Sequence, residues 1–225
     1  MFIFSIFLVL NNEFNLLYQS VENTKVTVNN NDIITLQENN VVVLKGPINK
    51  KITNKFIFDL YNKKILYNNI SPPINIYIYI ESTGGKVIYG EKIINILQLL
   101  KLKNITTNCI GYKAYSMAFH IFQHCENRII LSNSRIMQHD ISLQIKKKKL
   151  QTIQNYISMI NSIKDKLNTI ILYKTGLSSE QYNNLIKEDL WLHGTDIIKF
   201  KFADEIKYVI CNFKSFNNCP LITLD

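Results

Sequence analysis

Short apolar runs alternate with helical patterns along most of this chain. Strand-like runs begin near residues 41, 74 and 104 and read VVVLKGP, INIYIYI and NITTNCI. Each precedes a stretch with the apolar spacing of a helix, at residues 52–66, 87–100 and 114–125. Strands separated by a helix pair in parallel, with the helices packed outside the sheet. The repeat therefore predicts an α/β fold.

A further strand and a long helix follow. Residues 128–139, RIILSNSRIMQH, read as one strand that ends on His139. Residues 150–174 have the spacing of an amphipathic helix, and Gly176 is placed to end it. Ser178 or Ser179 is expected to cap the next helix. The remaining elements are predicted at residues 179–187, 195–200 and 207–211.

The patterned region defines the predicted domain, residues 41–211. Residues 1–40 are expected to be a poorly ordered arm or targeting segment, and residues 212–225 a tail. The first ten residues, MFIFSIFLVL, fit the apolar part of a targeting peptide, although no basic residue precedes them. They fit an N-terminal strand or helix equally, so both interpretations stay open.

Composition narrows the classes of function. The chain has 225 residues, of which 47% are hydrophobic, enough for one complete core. Its net charge of +9 comes mainly from lysine, and its only arginines are Arg128 and Arg135. Sequence-specific readers of nucleic acid depend on arginine. No run reaches the ~18 apolar residues of a membrane span. We predict neither nucleic acid nor membrane as a partner.

The cysteines and the codon bias bear on the compartment. Cys109, Cys125, Cys211 and Cys219 have no CxxC spacing, so free thiols in a reducing compartment are the simpler expectation. Abundant Asn, Ile, Lys and Tyr are typical of AT-rich genes. Together with the apolar N-terminus this favours a plastid-type organelle, an apicoplast or chloroplast stroma, with the cytoplasm as the alternative.

Ser116 and His139 are the candidate reactive pair. Ser116 is predicted in the first turn of the helix at residues 114–125, where backbone N–H groups have no helical partner and the helix dipole favours negative charge. The N–H of Met117 could there donate to an oxyanion. A serine attacks well only if a base takes its proton, and His139 ends a strand that could aim an imidazole.

Simpler interpretations of these residues exist. Ser116 could only cap its helix, His139 could only close its strand, and Asp189 could only cap a turn. Asp140 is a second candidate carboxylate, but adjacent strand residues point to opposite faces. His120 and His124 have a metal-binding spacing on a helix, yet no third ligand stands at a telling distance, so we predict no metal.

Six segments together resemble the proteolytic subunit of Clp protease. They are LKGPI (44–48), INIYIYIESTGG (74–85), GYKAYSMA (111–118), NSRIMQH (133–139), YKTG (173–176) and KEDLW (187–191). They stand in the family's order at near-family spacing and cover roughly residues 41–209. The resemblance implies an α/β fold of the ClpP/crotonase type, a spiral of repeated ββα units with a protruding helical handle.

The resemblance also implies roles for particular residues. Ser116 matches the nucleophile, His139 the general base and Asp189 the carboxylate that orients the imidazole. The oxyanion hole would be the N–H of Met117 and that of Gly84 or Gly85, glycines because a Cβ would crowd the substrate carbonyl. Substrate would bind as an added β-strand. The pairing residues would be Lys86, Val87, Ile141 and Leu143.

By the same resemblance, the chain would be an ATP-dependent serine endopeptidase without a cofactor. It would form homo- or hetero-oligomeric heptameric rings that enclose a chamber and receive unfolded proteins from an AAA+ Clp ATPase. The helix at residues 150–174 would be the handle that interleaves opposing rings.

The chain departs from the family pattern at several places. The turn reads STGG without the usual proline, and Tyr115 replaces a small residue, which could narrow the pocket. Asp140 and Ile141 replace Gln-Pro, and Glu188 replaces an arginine that helps two rings meet. A catalytically impaired structural subunit of a mixed ring therefore stays open as the alternative. A third possibility is a crotonase-fold enzyme that acts on acyl-CoA.

Overall fold

We describe the fold from a computed structural model of the chain. The structure describes residues 32–63, 74–142 and 149–211. The chain divides into two compact units, Met1–Ile33 and Ile34–Asp225, and the fold below is that of the second unit. Residues 1–31 of the predicted arm or targeting segment, the predicted tail and Leu143 lie outside the described residues.

The described elements largely follow the predicted alternation of strand and helix. The strands are β1 (Ile33–Leu36), β2 (Val41–Lys45), β3 (Ile74–Ser82), β4 (Ile105–Tyr115), β5 (Asn127–Ile130), β6 (Arg135–Gln138), β7 (Leu190–His193), β8 (Glu205–Ile206) and β9 (Tyr208–Cys211). The helices are α1 (Lys50–Asn62), α2 (Val87–Leu102), α3 (Met117–His124), α4 (Leu150–Thr175), α5 (Ser179–Leu185) and α6 (Thr195–Lys199). Strand β1 falls within the segment for which we predict an arm.

The larger sheet of the described residues has seven strands, and most of them are parallel. The strand order is β2-β3-β4-β5-β8, while β6 also pairs with β4 and then with β7. The β6–β7 pair is antiparallel, and the other pairs are parallel. A second sheet joins β1 to β9. Because β3, β4 and β6 run in one direction, their carboxyl ends meet at one edge.

Strand β4 is longer than predicted. The pattern predicts that Gly111 ends it, but β4 runs to Tyr115 and pairs with β3 as far as Ser82 and Ala114. A Cβ at position 111 would lie 2.9 Å from the Phe122 ring. The glycine therefore makes room for a helix packed on the strand, and it does not terminate the strand.

The predicted strand at residues 128–139 is two strands. Strand β5 pairs with one part of β4 and β6 with its end. A turn separates them, in which the Leu131 N–H donates to Ser134 Oγ at 2.8 Å and the Ser134 N–H donates to the Leu131 carbonyl at 3.0 Å. The serine closes the turn because its hydroxyl satisfies a backbone donor.

Helix α4 is the long helix that the pattern predicts. It has 26 residues, about 39 Å of axis, and Gly176 follows it at φ 74°. Its buried residues, Leu167, Asn168, Ile171 and Thr175, all lie in the C-terminal half. The N-terminal half therefore presents apolar side chains that the described residues do not cover. Ser178 caps α5 through a capping box with Gln181.

The expectation of free thiols is wrong for Cys109 and Cys125. These residues form a disulfide between β4 and the residue after α3, with Cα atoms 5.9 Å apart. The reason is topological: α3 folds back onto β4, so residues that are 16 apart in sequence become neighbours. Spacing along the chain could not show this contact.

Among the described residues, no helix combines the length and the apolar character needed to cross a membrane.

Candidate active site

The candidate site begins at a sharp turn from β4 into α3. Ser116 occupies the turn with φ 52° and ψ −121°, a conformation that costs a residue with a Cβ about 1–3 kcal/mol. Its N–H donates to the Met137 carbonyl at 2.8 Å, and its carbonyl accepts from Phe119 N–H at 2.9 Å. Hydrogen bonds to β6 and to α3 thus hold the turn. The sequence predicts Ser116 within the first turn of this helix, whereas in the structure it is the N-cap residue.

His139 lies against this serine. It follows β6 directly, and the parallel pair of Tyr115 with Met137 brings the ends of β4 and β6 side by side. His139 Nε2 lies 2.8 Å from Ser116 Oγ. At this distance the hydroxyl can donate to a neutral imidazole, which is the contact a general base needs. The structure therefore brings together the two residues predicted to react.

Asp189 is near in register but not joined to His139. The last pair of the β6–β7 ladder is Gln138 with Leu190, so Asp189 stands one step further, opposite His139. The residue is exposed. Within the part of the chain that the structure describes, it makes no hydrogen bond or ion pair with His139. The third predicted residue is thus placed beside the pair without touching it.

Asp140, the competing carboxylate, is held elsewhere. Its Oδ2 binds Lys164 Nζ on α4 at 2.7 Å. Burial raises the pKa of Asp140, but the hydrogen bonds from Lys164 and from the Ile141 N–H outweigh it, so the pKa lies below its usual value. Asp140 therefore ties the residue after His139 to the long helix.

The glycine pair supplies one free donor. The Gly84 N–H donates to Ser82 Oγ at 3.1 Å, and the Gly84 carbonyl accepts from Ile48 at 2.8 Å. Among the described residues, the N–H groups of Gly85 and Met117 have no acceptor. Both residues line the same pocket as Ser116 and His139. Of the two glycines that the sequence leaves open, Gly85 is therefore the one placed to serve an oxyanion with Met117.

The structure gives a reason of its own for the two glycines. A Cβ on Gly84 would overlap the Tyr115 carbonyl and lie 2.9 Å from Met117 N, while a Cβ on Gly85 would overlap the Ile48 backbone. Both residues have φ values in the left-handed region, 82° and 151°. The glycines therefore allow backbone segments to approach closely, which sets the position of the donors.

Comparison with known proteins identifies the fold. The Clp protease family matches residues 24–209. This chain belongs to the Clp protease family. It is also similar to a solved structure of a mutant of ClpP1 from Listeria monocytogenes, at 24% identity and a TM-score of 0.63. That match covers 76% of this chain and 92% of the other. At this identity the structural likeness shows the fold alone.

Membership in the Clp protease family confirms the fold expected from the six segments. The family match begins at residue 24, so it also includes part of the segment predicted as an arm.

Tyr115 does not narrow the pocket of this Clp protease family member, contrary to expectation. The Tyr115 ring meets the Trp191 ring edge-on, with centroids 5.0 Å apart. Lys113 Nζ lies 5.0 Å from the centre of the Tyr115 ring. Tyr115 is absent from the pocket lining, which includes Val87, Leu167 and Ile141. The large ring is accommodated on the β6–β7 side of the sheet.

The residues predicted to pair with a substrate strand differ in whether their backbone groups are already hydrogen-bonded and in whether they line the pocket. The Lys86 N–H donates to the Ile48 carbonyl at 3.0 Å, so this N–H is already engaged within the chain, and pairing of Lys86 with a substrate stays a prediction. Gly85 forms an isolated parallel bridge with Ile48, so by strand alternation its own N–H faces the opposite side. Val87 is the first residue of α2. Both Val87 and Ile141 line the pocket.

Two further pocket residues were not identified as functional from the sequence. His120 was considered only with His124 as a possible metal ligand, but His124 Nδ1 lies 2.7 Å from the His120 carbonyl. His120 Nε2 lies 2.9 Å from Gln138 Nε2, and both side chains line the pocket beside Ser116. The sequence contains two signals for these residues. His120 is a polar residue within the apolar stretch of α3, and Gln138 is a polar residue directly before His139.

Proposed function

We propose that this chain is a serine endopeptidase subunit of the Clp type, in which Ser116 is the nucleophile, His139 the base and Asp189 the orienting carboxylate. One observation carries the proposal: the 2.8 Å contact between His139 Nε2 and Ser116 Oγ, beside two backbone donors for which the described residues provide no acceptor. Its substrates would be polypeptides in an extended, unfolded state.

The arrangement supports acyl transfer in two stages. His139 accepts the Ser116 proton as Oγ attacks the peptide carbonyl, and the N–H groups of Gly85 and Met117 stabilise the oxyanion. The imidazolium returns the proton to the leaving amine. A water molecule, deprotonated by the same imidazole, then hydrolyses the acyl-serine. Each step uses groups that line one pocket.

Asp189 would complete the site through a small movement. In this proposal its carboxylate turns toward His139 Nδ1, fixes the tautomer with hydrogen on Nδ1 and stabilises the imidazolium. The antiparallel register supports this role because it places Asp189 opposite His139. Packing of a second copy against the exposed β7 would favour the joined arrangement, in keeping with the oligomeric rings proposed below.

Replacement of the serine tests the proposal. We expect Ser116→Ala to abolish cleavage of a fluorogenic peptide by the full-length chain, measured with and without an AAA+ Clp ATPase. The matched control is Ser142→Ala. This substitution removes a hydroxyl from the same pocket and leaves the contact between Ser116 and His139 intact. Covalent labelling by a fluorophosphonate should follow the same pattern. Labelling of Ser116→Ala at the wild-type rate would contradict the assignment.

A structural subunit is the second candidate function. The specific observation in its favour is that Asp189 is exposed and does not contact His139. Loss of the aspartate from a working serine site lowers kcat by about 10⁴-fold. The two candidates differ in Asp189→Asn: it should greatly reduce fluorophosphonate labelling of a protease, whereas a structural subunit would not label before or after the change.

The proposal includes partners and a compartment. We propose heptameric rings of this chain, alone or mixed with related subunits, that receive unfolded proteins from an AAA+ Clp ATPase in a plastid-type organelle. Caging is physically reasonable for such an enzyme, because recognition through backbone pairing discriminates weakly among substrates. Mass measurement of the purified full-length chain and its co-purification with the ATPase would test the assembly.

A further inference from the structure

A row of three side chains crosses the strands next to the candidate site. Tyr115 of β4 pairs in register with Met137 of β6, and Met137 pairs in register with Trp191 of β7. Residues paired in this way on neighbouring strands point to the same face of the sheet. The row therefore lies on one face, and each of its members stands one or two positions from one of the three proposed catalytic residues.

The row lies on the outer face of the sheet. A second row, one position away on each strand, belongs to or packs against the main hydrophobic core and consists of Ala114, Ile136 and Leu192. Because side chains alternate between the two faces, Tyr115 and Trp191 point away from that core. The Trp191 side chain is accordingly 56% exposed. Neither ring is among the side chains that line the pocket of the candidate site, so neither would contact a substrate bound there.

The two rings meet across β6. Their planes are inclined by 74° and their centroids lie 5.0 Å apart, an edge-to-face arrangement in which the positive edge of one ring meets the negative face of the other. Lys113 Nζ lies over the Tyr115 ring and adds a favourable contact on the same face. Within the described residues, β7 pairs with β6 alone. The ring contact is thus a direct link between the strand that leads into Ser116 and the strand that follows Asp189.

The two ends of β7 are held differently. Beyond its C-terminal end, the Gly194 N–H donates to the Ser134 carbonyl at 3.0 Å. At its N-terminal end the ladder with β6 stops at Leu190, and residues 187–189 are exposed. A strand end that pairs on one side only opens easily, because few contacts must break. Leu190 packs toward the core on the inner face, and Trp191 supplies a contact on the outer face.

We propose that Tyr115 and Trp191 are positioning residues, whose ring contact holds the start of β7 against β4 and so keeps Asp189 opposite His139. The inference rests on the proposed peptidase function and deepens it. With the strand held, the carboxylate reaches the imidazole by a small movement, whereas an open strand end carries the carboxylate away. An imidazole without this partner loses its fixed tautomer and the stabilisation of its charged form.

Removal of either ring tests the positioning role. With a fluorogenic peptide and the full-length chain, we expect Trp191→Ala and Tyr115→Ala each to lower kcat about tenfold, the change in population that one aromatic pair can maintain. KM should change less than about twofold, because neither ring lines the pocket. Tyr115→Phe keeps the ring and should retain the wild-type kcat. Tyr173→Ala is the control, because it removes an exposed ring from α4 and should leave kcat and KM unchanged.

Two further measurements separate positioning from a general loss of folded protein. In Trp191→Ala the acid limb of kcat/KM against pH should move to lower pH, because an imidazolium without a carboxylate partner loses its proton more readily. In the Asp189→Asn background, Trp191→Ala should cost less than about twofold, since the ring contact acts through the carboxylate that is already missing. The rate of fluorophosphonate labelling gives the same comparison where cleavage is too slow to follow.

Fluorescence reports the ring contact itself, because Trp191 is the only tryptophan of the chain. Tyr115→Ala should shift its emission to longer wavelength and increase its quenching by acrylamide, since the indole loses the ring that partly covers it. Tyr115→Phe should resemble the wild type in both measurements.

The outcomes separate this inference from the proposed function. Wild-type kcat in a folded Trp191→Ala overturns the inference, and so does a tenfold loss that persists in the Asp189→Asn background. Where Trp191→Ala fails to fold, unchanged fluorescence in Tyr115→Ala overturns it, because the two rings are then not in contact. Absence of both peptide cleavage and fluorophosphonate labelling in the wild type contradicts the peptidase function itself, and the inference falls with it.

Discussion

At the scale of single residues, the site depends on backbone conformations that side chains normally avoid. Ser116 holds φ 52° between two hydrogen-bonded anchors, and Gly84 lies against the same turn with φ 82°. A Cβ on Gly84 would meet Ser116 Cβ at 2.8 Å and Met117 N at 2.9 Å. Ser116 and the Met117 N–H can therefore keep these positions only because residue 84 has no side chain.

We expect Gly84→Ala to reduce both activity and stability. The added Cβ must displace backbone atoms of the serine turn, so peptide cleavage should fall at least about 100-fold and unfolding free energy by about 2–4 kcal/mol. Urea unfolding and fluorogenic cleavage measure the two effects. Gly176→Ala is the control, because φ is 74° there but no atom lies within 4 Å of the new Cβ. It should cost only about 1 kcal/mol. Equal effects would contradict the role given to close packing.

His120 should make stability depend on pH. Its folded pKa is about 3, against about 6.5 in an unfolded chain, so between these values the unfolded state binds a proton that the folded state does not. Its contribution is constant above pH 6.5 and becomes destabilising as the pH falls toward 3, with a slope of at most about 1.4 kcal/mol per pH unit. Urea unfolding of His120→Phe should show a shallower acid loss than wild type. His193→Gln is the control: because His193 is exposed, this variant should lose stability in acid as steeply as the wild type does.

At the scale of elements, the long periodic segments were predictable, and so were the short α6 and β9, whereas β7 and β8 were not. Helices α1, α2 and α4 follow from apolar spacing because each is long enough for several turns to repeat. Strands β7 and β8, with 4 and 2 residues, carry too few positions for a pattern. The break between β5 and β6 depends on the Ser134 hydroxyl, a contact that alternation of apolar residues does not encode.

The buried Arg128 joins β5 to α3 and to the segment between α6 and β8. Its guanidinium binds Asp204 Oδ1 at 2.5 Å, Gln123 Oε1 at 2.6 Å and the Lys201 carbonyl at 3.0 Å. We expect Arg128→Leu to lower unfolding free energy by about 3 kcal/mol, the low end for a broken buried pair because Asp204 is partly exposed. Urea unfolding measures this, and Arg135→Leu at an exposed position should cost less than about 0.5 kcal/mol. Similar losses in both would refute the network.

At the scale of the whole molecule, α4 has an apolar surface that the part of the chain described by the structure leaves uncovered. Leu150, Tyr156, Ile157 and Met159 are between 40% and 71% exposed in its N-terminal half. A row of exposed apolar residues on one helix is typical of an interface. This agrees with the proposed role of the helix between rings.

We expect Ile157→Glu to weaken assembly between rings. A buried charge without a partner would be costly in an apolar interface, so the main species in light scattering should shift toward half the assembled mass. Ser162→Glu adds the same charge to an exposed polar position of α4 and should leave the mass unchanged. An unaltered mass for Ile157→Glu would mean that this half of the helix does not mediate assembly.

The candidate site was predictable in part. Ser116 and His139 were identified because each stands at the end of a rigid element and within a segment that resembles the family. The choice of Gly85 over Gly84 required knowledge that Ser82 Oγ engages the Gly84 N–H. The polarity of the pocket was missed because His120 and Gln138 stand 18 positions apart in sequence and only the fold brings them together.

The disulfide between Cys109 and Cys125 encloses the segment that carries Ser116 in a covalent ring. A single nick in the chain anywhere inside that ring would leave the two fragments attached. Such a nicked molecule would migrate as one band in a denaturing gel without reductant and as two once dithiothreitol is added.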